Sequence, residues 1–137
     1  MTNNLSILLI DDDMVEIMKV NRTIKSLGLS HKIIEAHNGE EALEILSKKD
    51  RLPDLILLDL NMPKLNGIEF LTILKEDDIL QYIPTVILTT SMNYKDVMAC
   101  YKIGIAGYIL KPLKYEMYMQ KLKSVLEYWS MNELIKA

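Results

Sequence analysis

Five short, almost uninterrupted apolar runs recur along the chain, at 5–10, 32–36, 55–58, 85–88 and 107–110, with stretches of amphipathic character between them. Continuous rather than alternating runs of this length suit parallel strands covered on both faces. The first intervening stretch carries Ile17, Val20, Ile24 and Leu27 at helical spacing and stops at Gly28, a residue suited to the left-handed turn after a helix. The second opens with Asn38-Gly-Glu-Glu41, where Asn38 can accept a backbone N–H and Glu41 can reach back. Three more helices are expected at 65–76, 93–103 and 114–133. Alternating strands and helices of this size wind into a parallel sheet with right-handed crossovers and helices on both faces, an α/β doubly wound (βα)5 architecture. Ligands of such sheets bind beyond the carboxyl ends of the strands, where the winding reverses.

The length of 137 residues fits a single domain, 1–137, around one sheet. A net charge of −3 without a Lys/Arg block offers no electrostatic footprint for nucleic acid, whose binding needs clustered cations. The lone Cys100 has no internal disulfide partner, and the opening Met1 to Ser6 lacks the basic and apolar regions of a leader, so a reducing cytoplasm is expected. No apolar run nears the roughly 20 residues that a membrane helix needs.

The residues following the strands carry the chemistry. Strand one runs into Asp11-Asp12-Asp13, strand three into Asp59, strand four into Thr89-Thr90-Ser91 and strand five into Lys111-Pro112. Asp11, Asp12 and Asp59 brought together would raise one another's pKa, and a bound cation is the simplest resolution. Oxygen ligands with no His or Cys in the pattern select a hard ion, Mg²⁺ before Ca²⁺, which wants more ligands. A lysine and a hydroxyl across from such an ion suit phosphoryl chemistry. No GxxxxGK[ST] or GxGxxG loop is present for a nucleotide, so a covalent phosphate is expected, with Asp59 as the nucleophile because it alone has no adjacent carboxylate.

At these positions the chain resembles the receiver domains of two-component response regulators. The family's paired acids, acceptor Asp, Ser/Thr and Lys-Pro are met in order by Asp11-Asp12, Asp59, Thr89 and Lys111-Pro112. Asp59-Leu-Asn-Met-Pro63 with Asn66-Gly67 is similar to its DxxMPxxxG loop, and Ala106-Gly-Tyr-Ile-Leu-Lys-Pro112 to its final strand. The resemblance implies a flavodoxin-like sheet of order 2-1-3-4-5. It implies Asp12 and Asp59 as direct Mg²⁺ ligands, Asp11 through water and the Asn61 carbonyl as a further ligand. Thr89, Lys111 and the Thr90 N–H would contact the phosphoryl group, Tyr108 would be the switch aromatic, and the Lys111-Pro112 bond would be cis. A sensor histidine kinase or histidine phosphotransfer protein would donate the phosphate, and a downstream protein would read it. The chain would signal rather than act as an enzyme. Ile83-Pro-Thr-Val-Ile-Leu-Thr-Thr-Ser91 and the Tyr128-Trp129 ending are similar to stand-alone receivers that work with bacterial photoreceptor or hybrid kinases.

Two other functions compete. Leu8-Leu-Ile-Asp-Asp-Asp13 also resembles the start of haloacid dehalogenase-type phosphatases, with Asp11 as nucleophile and Asp13 as general acid. A receiver-like binding module that takes no phosphate is the other. Asp13 is expected to cap the first helix, His31 and His37 to be exposed or capping, Cys100 to be a packing residue and the nine Met to fill the core. The last helix shows an apolar row of Tyr115, Met119, Leu122, Leu126 and Trp129, widened by Tyr118 and Val125. That width suggests a contact surface of helix four, strand five and helix five, for a homodimer or a partner.

Overall fold

The side chains of each central strand point alternately to two separate hydrophobic cores, one on each face of a parallel sheet. The computed structural model describes residues 4–135, so Met1 to Asn3, half of the segment inspected for a leader, lie outside it. The elements run β1 (Ser6–Ile10), α1 (Met14–Ser26), β2 (Lys32–Ala36), α2 (Gly39–Ser47), β3 (Leu55–Leu58), α3 (Gly67–Glu76), a 3₁₀ turn (Leu80–Tyr82), β4 (Thr85–Thr89), α4 (Tyr94–Ile103), β5 (Gly107–Leu110) and α5 (Tyr115–Ser130). All neighbouring strands pair in parallel in the order β2-β1-β3-β4-β5, as expected. Chain direction across the sheet reverses between β1 and β3, which puts the ends of those strands beside the crevice.

Leu8, Ile10, Ile56, Leu58 and Ile87 face α2, α3 and α4 and pack with Leu46, Phe70, Leu71, Leu74 and Cys100. Ile7, Leu9, Leu55, Leu57, Val86 and Leu88 face α1 and α5 and pack with Ile17, Val20, Ile24, Tyr118, Leu122 and Leu126. Period-two alternation thus feeds two cores from one run, which is why the runs read as continuous. Each fully buried aliphatic side chain contributes about 2 kcal/mol.

Side-chain caps set the helix starts. Asp13 accepts from the Val15 N–H at 2.9 Å and caps α1, as expected. Asn66 and Asn93 cap α3 and α4, so those helices begin at Gly67 and Tyr94. Asn38 accepts from the Glu41 N–H at 2.8 Å, but the Glu41 carboxylate does not reach back. It turns to the His37 Nδ1 at 3.1 Å, and the reciprocal capping box occurs instead at Asn66 and Glu69. His37, expected to be exposed or capping, therefore sits half-buried beside Glu41. His31 Nδ1 accepts from the Leu5 N–H at 2.9 Å, which requires that nitrogen to be unprotonated.

Three expectations need correction. α5 ends at Ser130 rather than 133, where the Met131 N–H closes onto the Tyr128 and Trp129 carbonyls. Its deepest row is Tyr118, Leu122, Leu126 and Ser130, while Tyr115, Met119, Val125 and Trp129 are half-buried flanks. The methionines are not mainly core filler: Met14, Met18, Met98 and Met117 on outward positions of α1, α4 and α5, with Met92 before α4 and Met131 after α5, are all more than half exposed. The 3₁₀ turn after α3 was not foreseen. Asp77 nucleates it by accepting from the Ile79 and Leu80 N–H groups, each at 2.9 Å.

Two glycines are required by geometry. Gly28 has φ +68, the left-handed turn anticipated after α1. A Cβ at Gly67 would lie 2.6 Å from the Asp59 carbonyl oxygen and 2.7 Å from the Leu60 Cα, so only glycine lets α3 start against the end of β3. The Gly67 N–H donates to the Leu60 carbonyl at 3.1 Å and closes the loop between them.

Candidate functional site at the carboxyl edge of the sheet

Backbone hydrogen bonds stitch the strand ends together one after another. The Asp11 N–H donates to the Ala36 carbonyl at 3.1 Å, the Asp59 N–H to the Ile10 carbonyl at 3.0 Å and the Lys111 N–H to the Thr89 carbonyl at 2.8 Å. The parallel ladder therefore brings together residues that lie 100 positions apart in the chain. Carboxylate oxygens of Asp11, Asp12 and Asp59 all lie within 4.8 Å of one another, Asp11 and Asp59 buried and Asp12 exposed. The Lys111 ammonium donates to Asp11 Oδ2 at 2.9 Å from a side chain only 6% exposed. Asp13 stands apart from the acidic group, since its carboxylate is spent on the cap of α1 and its N–H donates to Asp11 Oδ1 at 3.0 Å.

Burial pushes the Asp11 carboxyl up, helped by the charge of Asp59, against the downward pull of the Asp13 N–H and Lys111. Asp59 is likewise pushed up by burial, against Lys111, the Thr89 hydroxyl and the N–H groups of Asn61 and Leu60. Lys111 is held above its ordinary value although burial alone would lower it, because Asp11, Asp59 and Glu16 outweigh the burial. One ammonium thus leaves the carboxylates under-neutralised. Three converging oxygen donors without His or Cys fit a hard divalent cation.

On the far side Thr89 is fully buried at the end of β4, and its Oγ1 accepts from the Ser91 N–H at 3.3 Å. Thr90 is exposed beside it, and Asn61 is exposed in the loop after β3. The half-buried Tyr108 donates its hydroxyl to the Ser91 carbonyl at 2.9 Å, so its ring is tied to the loop after β4. The expected cis bond is absent: the Lys111-Pro112 peptide is trans, as are all those among the described residues. The four-carbon stem of Lys111 already spans to Asp11 without it.

Two polar contributors escaped the sequence. Asp96 accepts from the Ser91 hydroxyl at 2.7 Å and pins the β4–α4 loop, and Glu16 reaches Lys111 at 3.5 Å from the first turn of α1. Both are the third residue of the helix that follows a strand-end loop, where an acid is common enough to carry little signal of its own. Cys100 is fully buried, as expected, with its thiol pushed up to about 11 by burial and the charge of Asp96.

The response regulator receiver domain model matches residues 7–123. The chain belongs to this family. Among curated relatives, a probable methanogenesis regulatory protein, FilR2 of Methanothrix harundinacea, is 34% identical over 90% of this chain and 82% of its own. The response regulator Rcp1 of Synechocystis is 32% identical over 90% of this chain and 87% of its own. The crystal structure of the phosphorylated cyanobacterial phytochrome response regulator RcpA superposes with a TM-score of 0.90 at 31% identity, covering 98% of this chain and all of RcpA. Rcp1 has also been crystallised in a Mn²⁺-bound form, with a TM-score of 0.86, 30% identity and coverage of 97% and 99% of the two chains. Receivers of this family are signalling components of two-component systems. In this receiver the acidic cluster fits a divalent metal and a phosphorylation site. No helix among its described residues is long and apolar enough to cross a membrane.

Proposed function

We propose that this receiver is a stand-alone response regulator of a cytoplasmic phosphorelay, which takes a phosphoryl group on Asp59 from a histidine kinase or histidine phosphotransfer protein. The observation that carries this is the meeting of Asp11, Asp12 and Asp59 within 4.8 Å, with Lys111 at 2.9 Å from Asp11. Asp11, Asp12, Asp59 and the Asn61 carbonyl would hold Mg²⁺, which when bound supplies charge neutralisation for phosphoryl oxygens. An Asp59 carboxylate oxygen forms the new P–O bond as the donor's P–N bond breaks, and the electron pair leaves on the imidazole nitrogen. Lys111 pairs with a phosphoryl oxygen, and the Thr89 hydroxyl and the Thr90 N–H donate to others. When Thr89 turns to the phosphoryl group its hold on the Ser91 N–H is lost, which frees the loop that Tyr108 grips. That loop leads into α4, so the output is a changed surface on α4, β5 and α5. Tyr94, Met98 and Tyr101 on α4, Leu110 on β5 and Met117 and Tyr128 on α5 are exposed there, for a downstream protein or a second copy.

Acetyl phosphate and Mg²⁺ test the acceptor: an acid-stable, base-labile mass increase mapping to Asp59 and lost in Asp59→Asn supports it. No mass increase would leave a binding module that takes no phosphate. Turnover of a phosphate ester that survives Asp59→Asn and dies in Asp11→Asn would restore the phosphatase, although Asp13, its general acid, is occupied as a cap. A particle mass that is independent of concentration, with and without a phosphoryl mimic, would remove the second copy as occupant of the α4, β5 and α5 surface.

A further inference from the structure

Lys111 touches two carboxylates, and only one of them belongs to the acidic cluster. Its Nζ donates to Asp11 Oδ2 at 2.9 Å, and Glu16 Oε2 on α1 lies 3.5 Å from the same Nζ. Glu16 Oε1 is taken by Lys19 at 3.5 Å, whereas Oε2 is buried and accepts no hydrogen bond. A buried carboxylate oxygen without a donor is costly, and this one is a small displacement short of an ammonium. The side chains of Lys111 and Glu16 are 6% and 20% exposed, so water screens their attraction weakly.

A divalent cation held among Asp11, Asp12 and Asp59 would draw on the negative charge of Asp11, the carboxylate that Lys111 pairs with. Two cationic centres cannot share Asp11 without mutual repulsion, and the ammonium needs a second anion that is not a metal ligand. We infer that Glu16 is a positioning residue for Lys111: it takes up the ammonium when the cation claims Asp11, so that metal and lysine occupy the site together. This deepens the proposed function and rests on its metal site. Glu16 touches neither the metal nor the phosphate and acts only through Lys111.

A double-mutant cycle over wild type, Glu16→Gln, Lys111→Met and the double variant decides it, with Mg²⁺ binding to the full chain read by calorimetry. Glu16→Gln should weaken Mg²⁺ binding about five-fold while Lys111 is present and change it less than about two-fold in the Lys111→Met background. Glu16→Asp, which keeps the charge but withdraws it by one methylene, should fall between wild type and Glu16→Gln. An equal weakening with and without Lys111 would reveal bulk charge and overturn the inference, as would no weakening at all. Mg²⁺ binding to none of the four proteins would fell the metal site and the inference with it. If Mg²⁺ binds but acetyl phosphate leaves Asp59 unmodified, the phospho-acceptor reading fails while the binding cycle still decides Glu16.

Discussion

Asp59 and Gly67 are under opposite physical pressures although their backbones touch. Asp59 is an anion in a buried place, and its raised pKa means that the folded chain binds a proton there more readily than the unfolded chain. Stability therefore falls as pH rises through that pKa, and in metal-free buffer Asp59 costs stability at neutral pH. Asp59→Asn should raise the unfolding midpoint at pH 7 without Mg²⁺, and thermal scans should show the gain shrinking as pH drops into the carboxylate range. Gly67 is held by sterics instead. Gly67→Ala puts a methyl group 2.6 Å from the Asp59 carbonyl oxygen, and denaturant unfolding should show a loss of about 2 kcal/mol. At this scale the site was largely legible: Asp11, Asp12, Asp59, Thr89 and Lys111 announce themselves as polar residues that end apolar runs. Glu16 did not, because a glutamate in the first turn of a helix is ordinary chemistry wherever it occurs.

Elements were legible where periodicity is strong and less so where a cap or a seam decides. β2, β3 and β5 match their apolar runs end to end, whereas α3 and α4 start only after their capping asparagines. α5 carries apolar residues on more than half of its circumference, so its own pattern leaves open which row meets the sheet. Packing on α1 selects Tyr118, Leu122 and Leu126 and buries the Tyr118 hydroxyl with no hydrogen-bond partner. Tyr118→Phe removes that unmet group and should stabilise the fold by about 1 kcal/mol, read from the shift in the denaturation midpoint. The turn after α3 makes a pH-dependent prediction. The Leu80 N–H, Lys49 and the Ile79 N–H hold the Asp77 carboxyl down at about 2, so its contribution is complete above the ordinary carboxylate range and is lost as pH falls toward 2. Asp77→Asn should lower the unfolding temperature at neutral pH, and the difference should close progressively in acid.

For the molecule as a whole, a cation site built from two segments nearly fifty residues apart, Asp11-Asp12 and Asp59, is a folding linkage, since the unfolded chain does not hold the two together. Mg²⁺ at about a hundred times its Kd should stabilise the receiver by about 2.7 kcal/mol, seen as a rise in unfolding temperature. Asp12→Asn should abolish most of that rise without harming the metal-free fold, because Asp12 is exposed and belongs to neither core. The amino-acid sequence by itself determined the strand–helix alternation, the parallel sheet it implies and the residue types at each strand end, because these depend on periodicity and chemistry within a few neighbouring positions. Only the tertiary structure decided that Lys111 lies between Asp11 and Glu16, that Glu41 turns to His37, that Tyr108 grips the Ser91 carbonyl and which row of α5 is buried. Each of these is a choice among partners of nearly equal local chemistry, and the choice is made by distances that exist only once distant segments have packed.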